Sequence, residues 1–249
     1  MADIADRLAT ANQVLVREEI LDAYGHLSVR DPDHDQQFLL ARYLPPSLVT
    51  AADMRAFDLA GELVEPEDTA LYSERYIHAA VYRARPDVRA VCHTHAPDLV
   101  AFGIAGVEPR PVFHMAATFG PRIPIFDDYD PDSGLLINTL AQAHRLAAVL
   151  GENKGALMRG HGAVVTGQSL EDVLMGSIYL VCNARIRLAA AVLNPEVVAL
   201  SERECAAGSR LIGRPASQQR AWSHFTGLLP AAAGHQGGRD DRPEQPPRR

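Results

Sequence analysis

Three cysteines in 249 residues, at positions 92, 182 and 205, are too few and too scattered for a disulfide framework or a CxxC metal motif. Paired-thiol chemistry is thereby excluded, and a reducing, cytoplasmic setting is expected. Positive charge is also short: 24 Lys and Arg against 31 Asp and Glu give a formal net charge of −7. That is the wrong balance for a chain whose main partner is nucleic acid. No unbroken apolar run approaches the ~20 residues that cross a bilayer. The opening MADIADRLAT has neither the basic start nor the apolar stretch of a secretory signal. A membrane is therefore not an expected partner, and no internal repeat is present. What remains, at 47% hydrophobic and 22% charged, can bury a sizeable core.

Hydrophobic spacing predicts a helix from Ile4 to Tyr24, with Gly25 in the position of a terminating glycine. Strands are expected at His26 to Arg30, Gln37 to Ala41 and Met54 to Asp58. A helix follows from Thr69 to Arg85, stopped by Pro86. Then come a β-branched strand from Val88 to His95 and a helix from Ser133 to Leu150. Short strands are expected at Ala156 to Met158 and Val164-Val165. Ser169 and Asp172 resemble a capping box for a helix running to about Leu193. Trp222 and Phe225 suggest an apolar patch on a C-terminal helix. Residues 1–228 are expected to form one domain and 229–249 a disordered tail. The alternation of helices and strands, without a regular βαβ rhythm, predicts a layered α/β domain on a mixed sheet.

His93-Thr94-His95 is the sharpest chemical signal. Residues two apart on a strand share a face, so both imidazoles can grip one ion, and imidazole suits Zn, Mn, Fe or Co. A polar strand end would read the same way. His161, between Gly160 and Gly162, sits where backbone can approach a ligand closely, or in an ordinary tight turn. Glu74 lies on the preceding helix, where it shares a face with His78 four residues on. It is a candidate ligand or proton carrier, although with Arg75 and Tyr82 that face also reads as a solvated polar stripe. His34, His144 and His224 are isolated and expected at the surface, Cys92 is expected as a small buried hydrophobe, and Asp127 to Asp130 as a solvated loop.

Taken in order, Gly25 to Arg30 (GHLSVR), Asp53 to Gly61 (DMRAFDLAG), Ser73-Glu74 with His78 and Tyr82, Arg85 to Val88, His93 to His95 and Arg159 to Ala163 (RGHGA) resemble the class II aldolase/adducin family over about residues 5 to 195. The resemblance implies a three-layer α/β/α domain with a central mixed sheet, in a homotetramer with active sites at subunit boundaries. It implies His93, His95 and His161 as ligands of a divalent metal ion, with Glu74 as the carboxylate that binds the empty metal site or moves protons. Tyr129 matches a recurrent family tyrosine.

The sequence departs from the sugar-phosphate aldolases where they hold phosphate. His26 replaces an asparagine, Ala41 to Leu44 replaces a Thr-Pro-Ser-Gly stretch, and Leu71-Tyr72-Ser73-Glu74 replaces Pro-Ser-Ser-Glu. Bulky residues close a backbone phosphate cradle, whereas Arg42 suits a planar carboxylate. Tyr43 and Tyr72 could flank a flat ring. These changes are similar to a branch of the family that decarboxylates aromatic acids such as 3,4-dihydroxyphthalate and 3-hydroxy-2-methylpyridine-4,5-dicarboxylate. The expected function is therefore decarboxylation of a hydroxylated aromatic dicarboxylate, 3,4-dihydroxyphthalate foremost, with the ion gripping an ortho-hydroxyl and a carboxylate. Glu74 and His26 are the catalytic candidates. Arg42, Tyr43, Tyr72, Ser73 and His114 are the candidate substrate contacts. The competing expectations are aldol cleavage of a small hydroxy-carbonyl compound and, more remotely, an adducin-like interaction domain.

Overall fold

The computed structural model describes residues 2–229, so the expected tail falls outside the described residues from position 230 onward. Seven strands form one mixed sheet: β1 (His26–Arg30), β2 (Gln37–Ala41), β3 (Met54–Asp58), β4 (Ala90–Thr94), β5 (Ile125–Phe126), β6 (Gly155–Met158) and β7 (Gly162–Gly167). Their order is β3-β2-β1-β4-β7-β6-β5. Only β5 and β6 run parallel; the other neighbours are antiparallel.

Because strand side chains alternate, each strand feeds two separate cores. Leu27, Val29, Leu39, Cys92 and Val165 face one layer, with α1 (Ala2–Arg17), α3 (Pro97–Ala105) and α5 (Leu170–Leu193). Phe38, Leu40, Phe57, Val91 and Val164 face the other, with α2 (Arg75–Ala84) and α4 (Leu140–Leu150). This is the expected α/β/α arrangement. The same alternation sends His26, Ser28 and His93 toward α2, and β1 pairs with β4 so that His26 stands opposite His93. Cys92 is fully buried on the other face, as expected.

Several boundaries differ from the sequence reading, each for a local reason. α1 ends at Arg17 instead of Tyr24, because Glu19 turns the chain with φ 59°. Asp22 then folds the backbone by accepting from the Tyr24 and Gly25 amides at 2.9 and 2.8 Å. α2 begins at Arg75, with Glu74 as its flanking residue, so Glu74 is at the helix mouth and not on its side. The supposed solvated stripe is overturned: His78 and Tyr82 are completely enclosed. α4 starts at Leu140, capped by Thr139, leaving residues 133–138 as a loop in which Gly134 and Leu135 both take positive φ.

α5 is capped by Ser169, which accepts from the Asp172 amide at 3.1 Å. By length and composition α5 could cross a bilayer, but its apolar side packs on β4 and β7. Helix α3, strand β5 and helix α6 (Glu202–Ile212) were not read from the sequence; α7 (Pro215–Gly227) carries Trp222 and buried Phe225 as expected.

Candidate metal centre

Four chain segments meet at one end of the sheet. β4 delivers His93 and, one residue past its end, His95. The β6–β7 turn delivers His161, and the mouth of α2 delivers Glu74. One ligand atom from each lies within 4.8 Å of all the others. His93 Nε2 is 2.9 Å from His95 Nε2, and His161 Nε2 is 3.2 Å from His95 Nε2. Glu74 Oε2 stands 3.6 Å from His93 Nε2 and 3.4 Å from His161 Nε2.

Each imidazole is oriented through its other nitrogen. His93 Nδ1–H donates to the Ala163 carbonyl at 3.2 Å, and His161 Nδ1–H to the Leu135 carbonyl at 2.7 Å. His95 Nδ1–H meets the Asp22 carboxylate at 3.1 and 3.2 Å. A neutral ring committed as a donor at Nδ1 presents a lone pair at Nε2. Three such lone pairs therefore converge, which is unfavourable unless a cation sits among them. Tetrahedral coordination with Zn–N near 2.0–2.1 Å separates ligand nitrogens by about 3.3 Å, close to the spacing found. The donor set fits a divalent ion.

The electrostatics agree. Burial would raise the Glu74 pKa, but His161 and His93 outweigh it and hold the carboxyl well below the usual carboxylate range. Burial lowers His161, but the adjacent Glu74 carboxylate reverses the net shift and raises it. Burial, then the His93 charge, brings His95 down to about 4. Glu74 is itself fixed, because its Oε1 accepts from the Ile137 amide at 3.0 Å.

Gly162 makes the close approach possible. A Cβ there would collide with the Thr94 carbonyl oxygen and lie 3.1 Å from His95 Cα. The Gly162→Ala variant should lose about 1–3 kcal/mol of stability. It should also bind metal about 10–100-fold more weakly, because His161 and His95 are pushed apart. Thermal melts with metal titration test this; wild-type affinity in the variant would refute it.

The structure places the remaining candidates along a line of rings. The His26 ring is 5.0 Å from His93 and 4.7 Å from Tyr72, and Tyr43 is 5.6 Å from Tyr72. Tyr72 is buried, with its hydroxyl donating to the Leu44 carbonyl, and burial pushes its pKa up to about 12. Arg42, beside exposed Tyr43, donates from Nε to Asp53 at 2.9 Å, which leaves its Nη groups for another carboxylate. Ser73 is exposed at the approach to Glu74. His114 opens a short 3-10 helix and is exposed; among the described residues no contact joins it to the cluster. His34, His144 and His224 are exposed.

Sequence reasoning missed Asp22 and the Ala163 and Leu135 carbonyls, which no motif marks. It left Tyr129 in a solvated loop. The neighbouring acids are exposed, but the Tyr129 hydroxyl is buried without a partner among the described residues, and its pKa is raised by burial and by the Glu74 charge, among others.

The sequence profile of the Class II Aldolase and Adducin N-terminal domain matches residues 6–188. The chain belongs to the class II aldolase and adducin family. Within it, the chain is 34% identical over 196 residues to decarboxylase tropJ of Talaromyces stipitatus, covering 73% of this chain and 74% of that one. It is 28% identical over 246 residues to 3,4-dihydroxyphthalate decarboxylase of Arthrobacter keyseri, covering 93% and 96%. The L-fuculose 1-phosphate aldolase of Glaciozyma antarctica PI12 shares the fold with TM-score 0.76 at 21% identity, over 91% of this chain and 88% of that one. Class II aldolase-type sequences with a decarboxylase's name thus stand beside this chain over most of its length.

Proposed function

We propose that the chain is a metal-dependent carboxy-lyase acting on a hydroxylated aromatic dicarboxylate, with 3,4-dihydroxyphthalate the first substrate to try. The observation that carries this reading is the convergence of three oriented Nε2 atoms beside an ionised, buried Glu74. His93, His95 and His161 would hold the ion, and zinc, manganese, cobalt and iron all suit the imidazole set. When bound, it supplies Lewis-acid stabilisation of the charge that spreads onto a ring oxygen as CO2 leaves.

The chain's own residues do the rest. The bond between the ring carbon and its carboxylate breaks, the electron pair stays on the ring, and a proton must reach that carbon. Glu74 and His26 are the residues proposed to border the place where this happens; Glu74, being ionised, would first take the proton of the substrate's ring hydroxyl and then return it to the ring carbon. His26, Tyr72 and Tyr43 form a ring-lined wall suited to a flat substrate. The free Nη groups of Arg42 suit the second carboxylate. That the wall is aromatic, where a sugar phosphate would need a glycine-rich cradle, favours decarboxylation over aldol cleavage. Assembly as a homotetramer with shared sites would give exposed His114, which among the described residues meets none of the cluster, a place at a neighbouring site.

Incubating purified, metal-loaded protein with 3,4-dihydroxyphthalate should release one CO2 per substrate and change the ring absorbance. Failure with every hydroxylated aromatic acid, alongside cleavage of a hydroxy-carbonyl compound to an aldehyde, would move the chain to the aldolases.

A further inference from the structure

Beside the candidate metal centre lies a second, entirely buried polar chain. Tyr82 Oη is 2.8 Å from Ser28 Oγ, Ser28 Oγ is 2.6 Å from His78 Nδ1, and His78 Nε2 is 2.6 Å from His26 Nδ1. All four side chains are enclosed, and His26 Nε2 is buried with no partner among the described residues. Four polar groups in a core need a reason.

The protons along this chain can be assigned by satisfaction. The Tyr82 hydroxyl proton has one acceptor among the described residues, Ser28 Oγ, so Tyr82 donates to Ser28. Ser28 then gives its own proton to His78 Nδ1. Burial drives His78 down to about 3, so its ring is neutral, and a ring that accepts at Nδ1 carries its single proton at Nε2. That proton is donated to His26 Nδ1. A ring that accepts at Nδ1 carries its proton at Nε2, so His26 is protonated there.

The polarity is the reverse of that in the three candidate ligands. His93, His95 and His161 each donate from Nδ1 and offer a lone pair at Nε2, whereas His26 accepts at Nδ1 and offers an N–H at Nε2. The ring so protonated stands 5.0 Å from His93 and 4.7 Å from Tyr72, centroid to centroid, beside the proposed place of the substrate.

We propose that Tyr82, Ser28 and His78 are positioning residues that lock His26 in its Nε2–H tautomer. The lock makes His26 a hydrogen-bond donor to an anionic substrate oxygen and prevents it from becoming a fourth metal ligand. The donor role rests on the lyase reading above; the tautomer does not.

The test is a nitrogen-15 spectrum of the full chain, labelled at histidine and loaded with zinc, with the His26 signals identified by their loss in His26→Gln. The expected result is a protonated, pyrrole-type Nε2 and a bare, pyridine-type Nδ1 for His26, with the same pattern for His78. A protonated Nδ1 on His26 overturns the lock. Because no turnover is measured, a chain that decarboxylates nothing can still show the lock, and an active one can still lack it. In Ser28→Ala the His26 tautomers should mix, and kcat should fall about 10–100-fold with KM and bound zinc unchanged. A folded Ser28→Ala protein with wild-type kcat would remove the donor role. Should that variant fail to fold, the wild-type spectrum still decides.

Discussion

Alanine at position 161 is expected to leave a folded protein with little bound metal and about a thousandfold less turnover. The magnitude corresponds to the several kcal/mol that a Lewis acid contributes to stabilising developing charge. The fold should survive because His161 sits in the short turn between β6 and β7, alanine keeps its amide bond to the Met158 carbonyl, and its side chain meets the main chain at the Leu135 carbonyl. The centre should not survive, since two imidazoles and one carboxylate remain where four donors were gathered. Elemental analysis should show about one divalent ion per wild-type chain and far less in the variant. Chelation should reproduce the loss in the wild type, reversibly. A His161→Ala protein that retains both metal and activity would end the assignment of the site.

Replacing Glu74 with glutamine should have the second largest effect, of a different kind. Glutamine keeps an oxygen to accept from the Ile137 amide, so the mouth of α2 and the 133–138 loop should hold. What is lost is the ionised carboxylate that stands 3.4–3.6 Å from His161 and His93. If Glu74 moves protons, the variant binds metal and loses about 10²–10⁴-fold in kcat, the usual range for a general acid or base. Metal content measured beside single-turnover rates separates the possibilities. A Glu74→Gln chain that holds no metal would make Glu74 a ligand whose charge retains the ion and would overturn its proton role.

Much of the site could be read from the sequence because its parts are carried by local rules. His93 lies on β4 and His95 one residue past its end, near enough for the two-residue period of the strand to bring the imidazoles together. Gly162 follows His161 because no side chain fits against the Thr94 carbonyl there, so the glycine signal was physical. The sheet's mixed character followed from the irregular order of elements.

What could not be read depends on contacts between distant segments. Glu74 looked like one residue of a polar helix stripe, since spacing does not reveal that α4 and β1 bury His78 and Tyr82 on the same helix. The end of α1 was misplaced because Gly25 resembled a helix stop, whereas Glu19 takes the left-handed conformation and Gly25 is needed against the His93 carbonyl, 3.0 Å from where a Cβ would lie. The oxygens that orient the three imidazoles include two main-chain carbonyls, and a main-chain carbonyl has no letter in the sequence.

The loop of residues 133–138 is pinned twice to the centre, through the Ile137 amide on Glu74 and the Leu135 carbonyl on His161. A segment tied in this way cannot swing aside as a gate without dismantling what it guards. On the reading proposed above, small molecules would enter along the rings of His26, Tyr72 and Tyr43, with Arg42 next to Tyr43 in the chain. Selection by size and charge would then happen at that doorway, before any reacting atom is reached.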